Sequence, residues 1–253
     1  MSAVGLGLGL LSLGRAWGYR SEPPPTEADG QHLLDTAFEL GVRCYDTAPA
    51  YGSSEQRFGA FLSRLGAERS SVFVATKLGE HWDAGKQASF TDHSYDALRR
   101  SLDQSTRLLG RIDLLQVHKA TAANVSAPEV LRVLEYAGTL GVRHVGVSVS
   151  DVAAAEAACD VGVYSFLQFP FNVLNTTLAP AFELAARHGL QVLVNRPFAM
   201  GQLVQEEGRE PARSARESLQ HILRQRFSGY VLTGTKSAKH LLETHAVFRS
   251  LQG

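Results

Sequence analysis

Short apolar runs alternate with amphipathic helical stretches along nearly the whole chain, and glycine marks many of the joins. Runs 4–8, 42–46, 71–77, 112–118, 144–149, 165–168, 191–195 and 229–232 read as strands. Stretches 29–40, 54–65, 94–109, 128–138, 151–158, 178–187, 214–226 and 238–248 carry helical periodicity. Gly41, Gly66, Gly110, Gly141 and Gly189 stand where helix C-caps belong, and three of them lead within a few residues into a strand run. Eight strands alternating with eight helices predict an α/β fold, a (β/α)8 TIM barrel. A doubly wound open sheet is the competing reading. It wants a Gly-x-Gly-x-x-Gly turn between the first strand and helix, whereas Gly5, Gly7 and Gly9 lie inside the apolar run itself.

Length agrees with one barrel, because 253 residues is the size at which a single α/β barrel closes. The chain therefore reads as a single domain over 1–253, with short loops and no long C-terminal tail. The stretch between Leu203 and Ser214 is brief, only 249–253 follow the last helix, and an open, lightly specified pocket is expected. Twenty-five basic residues balance 25 acidic ones, so no basic excess is available for nucleic acid. The two cysteines, Cys44 and Cys159, are too few for a disulfide framework or a cysteine-rich zinc site. The first basic residue, Arg15, follows the N-terminal apolar run, the reverse of a secretory signal. No run reaches the ~20 apolar residues of a membrane span. The expectation is a cytoplasmic protein with no membrane partner, for which a monomer suffices.

In a barrel the chemistry sits where strands end. Strand two ends in Asp46, followed by Tyr51; strand three ends in Lys77, strand four in His118, strand five near Ser148, strand six at Gln168, and strand seven at Asn195 and Arg196. Each residue has an ordinary explanation alone: an aspartate as a turn residue, a tyrosine as packing, a lysine as solvated rim. Together, four titratable groups on three consecutive strand ends converge on one mouth. A tyrosine ordinarily titrates near 10, and an adjacent lysine cation favours its phenolate. The aspartate fixes the lysine, and the histidine can hydrogen-bond a carbonyl oxygen. Such a set protonates an oxygen as charge develops on it. Side chains supply no hydride, so a nicotinamide cofactor is required.

These residues resemble the aldo-keto reductase superfamily. The segment Gly41 to Gly52, with Asp46-Thr47-Ala48 and Tyr51 five positions after Asp46, is similar to that family's signature, and Ser54-Glu55 and Phe58-Gly59 follow it. Lys77 and His118 match the remaining two catalytic positions, so the resemblance implies a tetrad of Tyr51, Asp46, Lys77 and His118. The chain resembles a short, minimal-loop member, and the similarity runs from first strand to last helix.

The resemblance also implies a cofactor site. Gly146-Val147-Ser148-Val149 is similar to the family's Gly-Val-Ser-Asn, with Val149 in place of asparagine. Ser148 and Gln168 would hold the nicotinamide carboxamide. Asn195 takes a position that is aromatic in many relatives, and Arg196 one that is often serine; the strand-seven segment through Gly201 and Leu203 belongs to the same site. Independently of any family, Arg196 is a candidate for the cofactor pyrophosphate. Thr235, Lys236, Lys239, His240, Glu243 and Thr244 resemble the segment that grips the adenosine 2′-phosphate and adenine, with His240 where relatives often carry arginine and Thr244 where they often carry asparagine. A helix start after the last strand is also a physical anion site, and two lysines there favour NADPH over NADH. A solvated lysine-rich helix start is the plain alternative. No metal site is expected.

On the substrate side, Trp82 follows the lysine strand and is read as a wall of an apolar pocket, with Phe198 and Met200 opposite. Packing is the equal alternative for Trp82. The function implied is NADPH-dependent reduction of an aldehyde or ketone, a small-molecule carbonyl, with Tyr51 as proton donor. The alternatives are an NADPH-binding regulatory or sensor barrel with little turnover and, more remotely, an isomerase acting on a phosphorylated substrate.

Overall fold

The opening Gly-Leu-Gly-Leu-Gly run forms strand β1 (Gly5–Gly9) and shows why a barrel can close on it. Leu6 and Leu8 point outward into the helix-facing core, and the glycines turn toward the barrel interior. A Cβ on Gly5 would stand 2.6 Å from the Tyr230 ring, and one on Gly7 would stand 2.7 Å from Leu232. The first strand thus makes room for large residues of the last one. The computed structural model describes residues 4–205 and 210–252. Residues 1–3, part of the 203–214 connection and Gly253 lie outside the described residues, and so do the readings that fall on them.

The remaining strands are β2 (Cys44–Asp46), β3 (Phe73–Leu78), β4 (Glu80–Asp83), β5 (Ala88–Thr91), β6 (Leu114–Ala120), β7 (His144–Val149), β8 (Phe166–Pro170), β9 (Gln191–Asn195) and β10 (Gly229–Thr233). Eight are parallel and close in the order β1-β10-β9-β8-β7-β6-β3-β2, with β2 paired back to β1. The helices are α1 (Leu11–Gly14), α2 (Glu27–Glu39), α3 (Ser54–Arg64), α4 (Tyr95–Leu109), α5 (Pro128–Thr139), α6 (Val152–Val161), α7 (Pro180–Arg187), α8 (Gln202–Gln205), α9 (Pro211–Leu223) and α10 (Ala238–Ser250). All but the one-turn α1 and α8 are the crossovers and closing helix of a (β/α)8 barrel, as the alternation predicts.

Three boundaries differ for local reasons. Helix α2 begins two residues before the periodic pattern because Thr26 caps it, its Oγ1 accepting from the Asp29 N–H at 3.1 Å. Helix α9 starts at Pro211 rather than 214, since proline fits a first helical position whose N–H is unpaired anyway. It stops before Arg226, whose φ of 52° lies in the left-handed region. Gly110 closes α4 with φ 70°, as a C-cap glycine should.

One element is new. The run after Lys77, which lies outside every strand and helix read from the sequence, is a hairpin in which β4 pairs antiparallel with β5, Trp82 opposite Ser89. Asp83 Oδ1 accepts from the N–H groups of Gly85 and Lys86 and shapes its turn.

Inside the barrel, side chains are layered. Cys44, Ala75, Leu114, Phe166, Leu193 and Leu232 form a buried apolar floor, with Phe73 and Tyr230 packed against it. Two residues further along the same strands, on the same face, stand Asp46, Lys77, Gln116, Gln168 and Asn195. The period of two that builds the core therefore also raises a polar layer above it at the C-terminal ends.

Candidate active site

That polar layer centres on Asp46, a buried carboxylate that takes donors from three strands. Its Oδ2 accepts from Lys77 Nζ at 2.6 Å and from Gln168 Nε2 at 3.2 Å, and its Oδ1 accepts from Gln116 Nε2 at 3.0 Å. Lys77 donates a second hydrogen bond to the Thr47 carbonyl at 3.0 Å. The ammonium is only 1% exposed, so Asp46 and these carbonyl and amide dipoles replace its hydration. Burial alone would lower the Lys77 pKa, but Asp46 and Tyr51 outweigh it and the net direction is up. Lys77 is therefore a fixed cation.

Tyr51 closes a 3-10 turn over Pro49–Tyr51 that directly follows β2. The turn sits tight against α1: a Cβ on Gly52, at φ 62°, would stand 2.4 Å from the Gly14 carbonyl oxygen. Lys77 Nζ lies 4.9 Å from the Tyr51 ring centroid, and the His118 ring meets it edge-on at 5.8 Å and 83°. Burial is the largest influence on the Tyr51 pKa and leaves the phenol above its usual 10. Lys77 does lower it by charge and hydrogen bonding, as expected, but not by enough to win. The free protein therefore keeps Tyr51 protonated.

His118 is held neutral. Burial comes first, and the electrostatic influence of Lys77, Lys119, Arg15 and His93 adds to it, bringing the imidazole well below 6.5. Its Nδ1 lies 3.1 Å from Glu80 Oε2 but out of line for a hydrogen bond. Glu80 is further engaged by Ser89 Oγ at 2.8 Å and approached by Lys119 Nζ at 3.8 Å. Hairpin β4–β5 thus supplies a carboxylate beside the histidine. A backbone brace comes from His93, whose Nε2 lies 2.9 Å from the His118 carbonyl oxygen.

Asp46, Tyr51 and His118 open into a cavity of about 1010 Å³. Its walls include Ser148, Gln168, Asn195, Arg196, Phe198, Met200 and Gly201, and further out Thr235, Lys236, Lys239, His240, Glu243 and Thr244. Expected catalytic and cofactor positions thus share one space. Three expected residues do not line it. Lys77 lies buried behind Asp46 and Tyr51. Leu203 is buried beneath, its N–H bonded to the Phe198 carbonyl. Trp82 stands on the hairpin against the Arg15 guanidinium, 5.2 Å from ring centroid to Cζ.

The far end of the cavity is the start of α10, where Ser237 Oγ caps the His240 N–H. Lys239 is exposed and within 4.0 Å of Glu243. Lys236 donates to the Glu22 carbonyl at 2.5 Å, so the loop after α1 reaches across to the last strand end. The same loop is pinned to the strand-nine side by the Tyr19 N–H on the Met200 carbonyl at 2.9 Å. With the hairpin it borders the mouth, which short loops alone had suggested would be left bare.

Residues missed by sequence reasoning are Gln116, Glu80 and Glu55. Gln116 was detectable, because it precedes His118 by two on one strand and so shares its face. Glu80 needed the hairpin. Glu55 lies behind the site, where Thr76 Oγ1 at 2.6 Å and Ser105 Oγ at 3.0 Å donate to it.

The aldo/keto reductase family model matches residues 5–251. The chain belongs to the aldo/keto reductase family. It is 28% identical over 240 residues to the uncharacterized oxidoreductase YqkF of Bacillus subtilis, covering 92% of this chain and 72% of that protein. It is 30% identical over 246 residues to D-threo-aldose 1-dehydrogenase of a Pseudomonas species, covering 84% and 72%. The crystal structure of PA4992, a candidate aldo-keto reductase from Pseudomonas aeruginosa, superposes with a TM-score of 0.82 at 26% identity, over 98% of this chain and 90% of that one. The family is one of oxidoreductases that use nicotinamide cofactors, and this aldo/keto reductase shares the closed eight-stranded barrel of its solved relative. Its buried Gln168 Oε1 and Asn195 Oδ1 have no hydrogen-bond partner among the described residues, which fits an amide such as the nicotinamide carboxamide.

Proposed function

We propose that this aldo/keto reductase reduces an aldehyde or ketone to an alcohol with NADPH, Tyr51 donating the proton. The observation that carries the reading is the buried Lys77 cation, 2.6 Å from Asp46 and 4.9 Å from the Tyr51 ring. When bound, the cofactor supplies a hydride to the carbonyl carbon. Every other part of the reaction falls to the chain. Neutral His118 orients the carbonyl by hydrogen bonding to its oxygen. Charge that develops on that oxygen is met by the Tyr51 hydroxyl, whose high pKa keeps the proton in place until it is needed. As the proton leaves, Lys77 offsets the burial of the phenolate, and Asp46 keeps Lys77 from moving toward the substrate.

Gln168 and Ser148 would hold the nicotinamide end. Thr235, Lys236 and Lys239 at the start of α10 favour the phosphorylated dinucleotide, because a helix N-terminus and two cations suit an added phosphate. Steady-state assays of an aldehyde and ketone panel with NADPH and, separately, NADH test the reading. Turnover with NADPH at kcat/KM at least about tenfold above NADH is expected. Absence of turnover on every carbonyl with either cofactor would refute it.

A further inference from the structure

Arg15 presents its guanidinium at the cavity wall. Among the described residues it makes no ion pair, and its Nε is buried without a hydrogen-bond acceptor. What holds it is aromatic: its Cζ lies 5.6 Å from the Trp17 ring centroid and 5.2 Å from that of Trp82. Arg196 approaches the same Trp17 ring at 5.6 Å, so two guanidiniums share one indole, and neither makes an ion pair among the described residues. The described acids that line this cavity have partners of their own: Asp46 holds Lys77 and Glu243 lies near Lys239. Glu80 faces His118, Ser89 and Lys119, and Glu22 lies toward Lys236. Arg15 lines the same cavity as Tyr51 and His118, and its charge is among those that act on His118.

We infer that Arg15, steadied by Trp17 and Trp82, is a specificity-determining residue that receives a carboxylate carried by the carbonyl substrate. The inference deepens the proposed reduction and rests on it for the reaction, though not for the binding. With indole rings against it, the guanidinium offers its in-plane edge, and a planar bidentate acceptor such as a carboxylate matches that fork. The substrate class is then an aldehyde or ketone with a carboxylate at its other end. Such a substrate is drawn into the mouth by its charge and turned so that the carbonyl leads toward Tyr51.

The test compares 4-carboxybenzaldehyde, benzaldehyde and glyceraldehyde 3-phosphate in the wild type and in Arg15→Met, which keeps an apolar stem beside the indoles. In the wild type, kcat/KM for 4-carboxybenzaldehyde should exceed that for benzaldehyde by about 10- to 100-fold, the worth of a charged hydrogen-bond pair. In Arg15→Met that ratio should collapse toward one through KM, and because it is measured within one protein, partial unfolding does not mimic it. Trp17 and Trp82 are the chain's two tryptophans, so fluorescence excited selectively at tryptophan, apart from the seven tyrosines, reports on this site. Titration with benzoate should quench it in the wild type and weaken by the same factor in the variant. If the wild type shows no preference for the carboxylate, prefers the phosphorylated aldehyde, or loses NADPH affinity in Arg15→Met with the carboxylate ratio intact, the assignment is wrong. Benzoate binding that depends on Arg15 without any carbonyl turnover would uphold this site and refute the proposed reaction. Turnover of benzaldehyde without a carboxylate preference would do the reverse.

Discussion

Lys77 Nζ stands 2.6 Å from Asp46 Oδ2, and both side chains are almost wholly withdrawn from water. A buried pair of this kind is costly to break from one side, because the surviving charge is left without solvent or partner. Asp46→Asn should therefore destabilise the fold by about 3–5 kcal/mol, read as a lower urea midpoint at unchanged slope. Adding Lys77→Met should restore most of that stability while leaving activity abolished. If the double variant is as unstable as Asp46→Asn, the cost does not come from an orphaned charge.

Tyr51→Phe removes the hydroxyl and keeps the ring that packs against His118 and Lys77. Turnover should fall by about 10²- to 10⁴-fold, the usual contribution of a positioned acid. NADPH binding, followed by quenching of protein fluorescence, should stay within about twofold, since a group that acts only in the transition state lowers kcat and leaves binding alone. Wild-type turnover in this variant would remove Tyr51 from the mechanism.

The barrel was legible because its code is short-range: period-two strands, period-3.6 helices and capping glycines repeat along the chain and agree with one another. The clustering of Asp46, Lys77 and His118 was legible because strand ends converge in that fold, so the three needed no side-chain coordinates to be placed together. What escaped depends on long-range packing. Nothing in Gly79-Glu80-His81-Trp82 shows that the segment folds into a hairpin placing Glu80 at His118 and Trp82 at Arg15. The Tyr51 proton affinity also went the other way, because burial, unlike a neighbouring lysine, is not written in local sequence.

Glu55 gives the fold a pH dependence of its own. Burial raises its carboxyl from 4.5 to about 7, against the hydrogen bonds from Thr76 and Ser105. A raised folded-state pKa means that the native protein binds the extra proton, so this contribution is complete below about 4.5 and is lost as pH rises through 7. A rise of that size corresponds to roughly 3 kcal/mol. His118 acts in the opposite sense: its folded pKa is depressed, so its contribution is present above the unfolded value near 6.5 and fades as pH falls below it. Glu55→Gln should remove the first slope and keep the second. Urea unfolding at pH 5 and pH 8 measures this, and a variant with the wild-type difference between the two would show that Glu55 titrates alike in both states.

Lys239 is the cleaner of the two lysines for the cofactor question, because Lys236 also ties the loop at Glu22 to the last strand end. Lys239 is exposed and its partner Glu243 is 4.0 Å away, so the pair adds little to stability. Lys239→Ala should raise KM for NADPH by about tenfold, the value of one charge-assisted contact to phosphate, and shift KM for NADH by less than about twofold. Salt should act in the same direction, since an exposed contact is screened: the wild-type preference for NADPH should shrink between low and high ionic strength, and that of the variant should hardly move. Equal increases in KM for both cofactors would place Lys239 at a part they share and take the 2′-phosphate away from it.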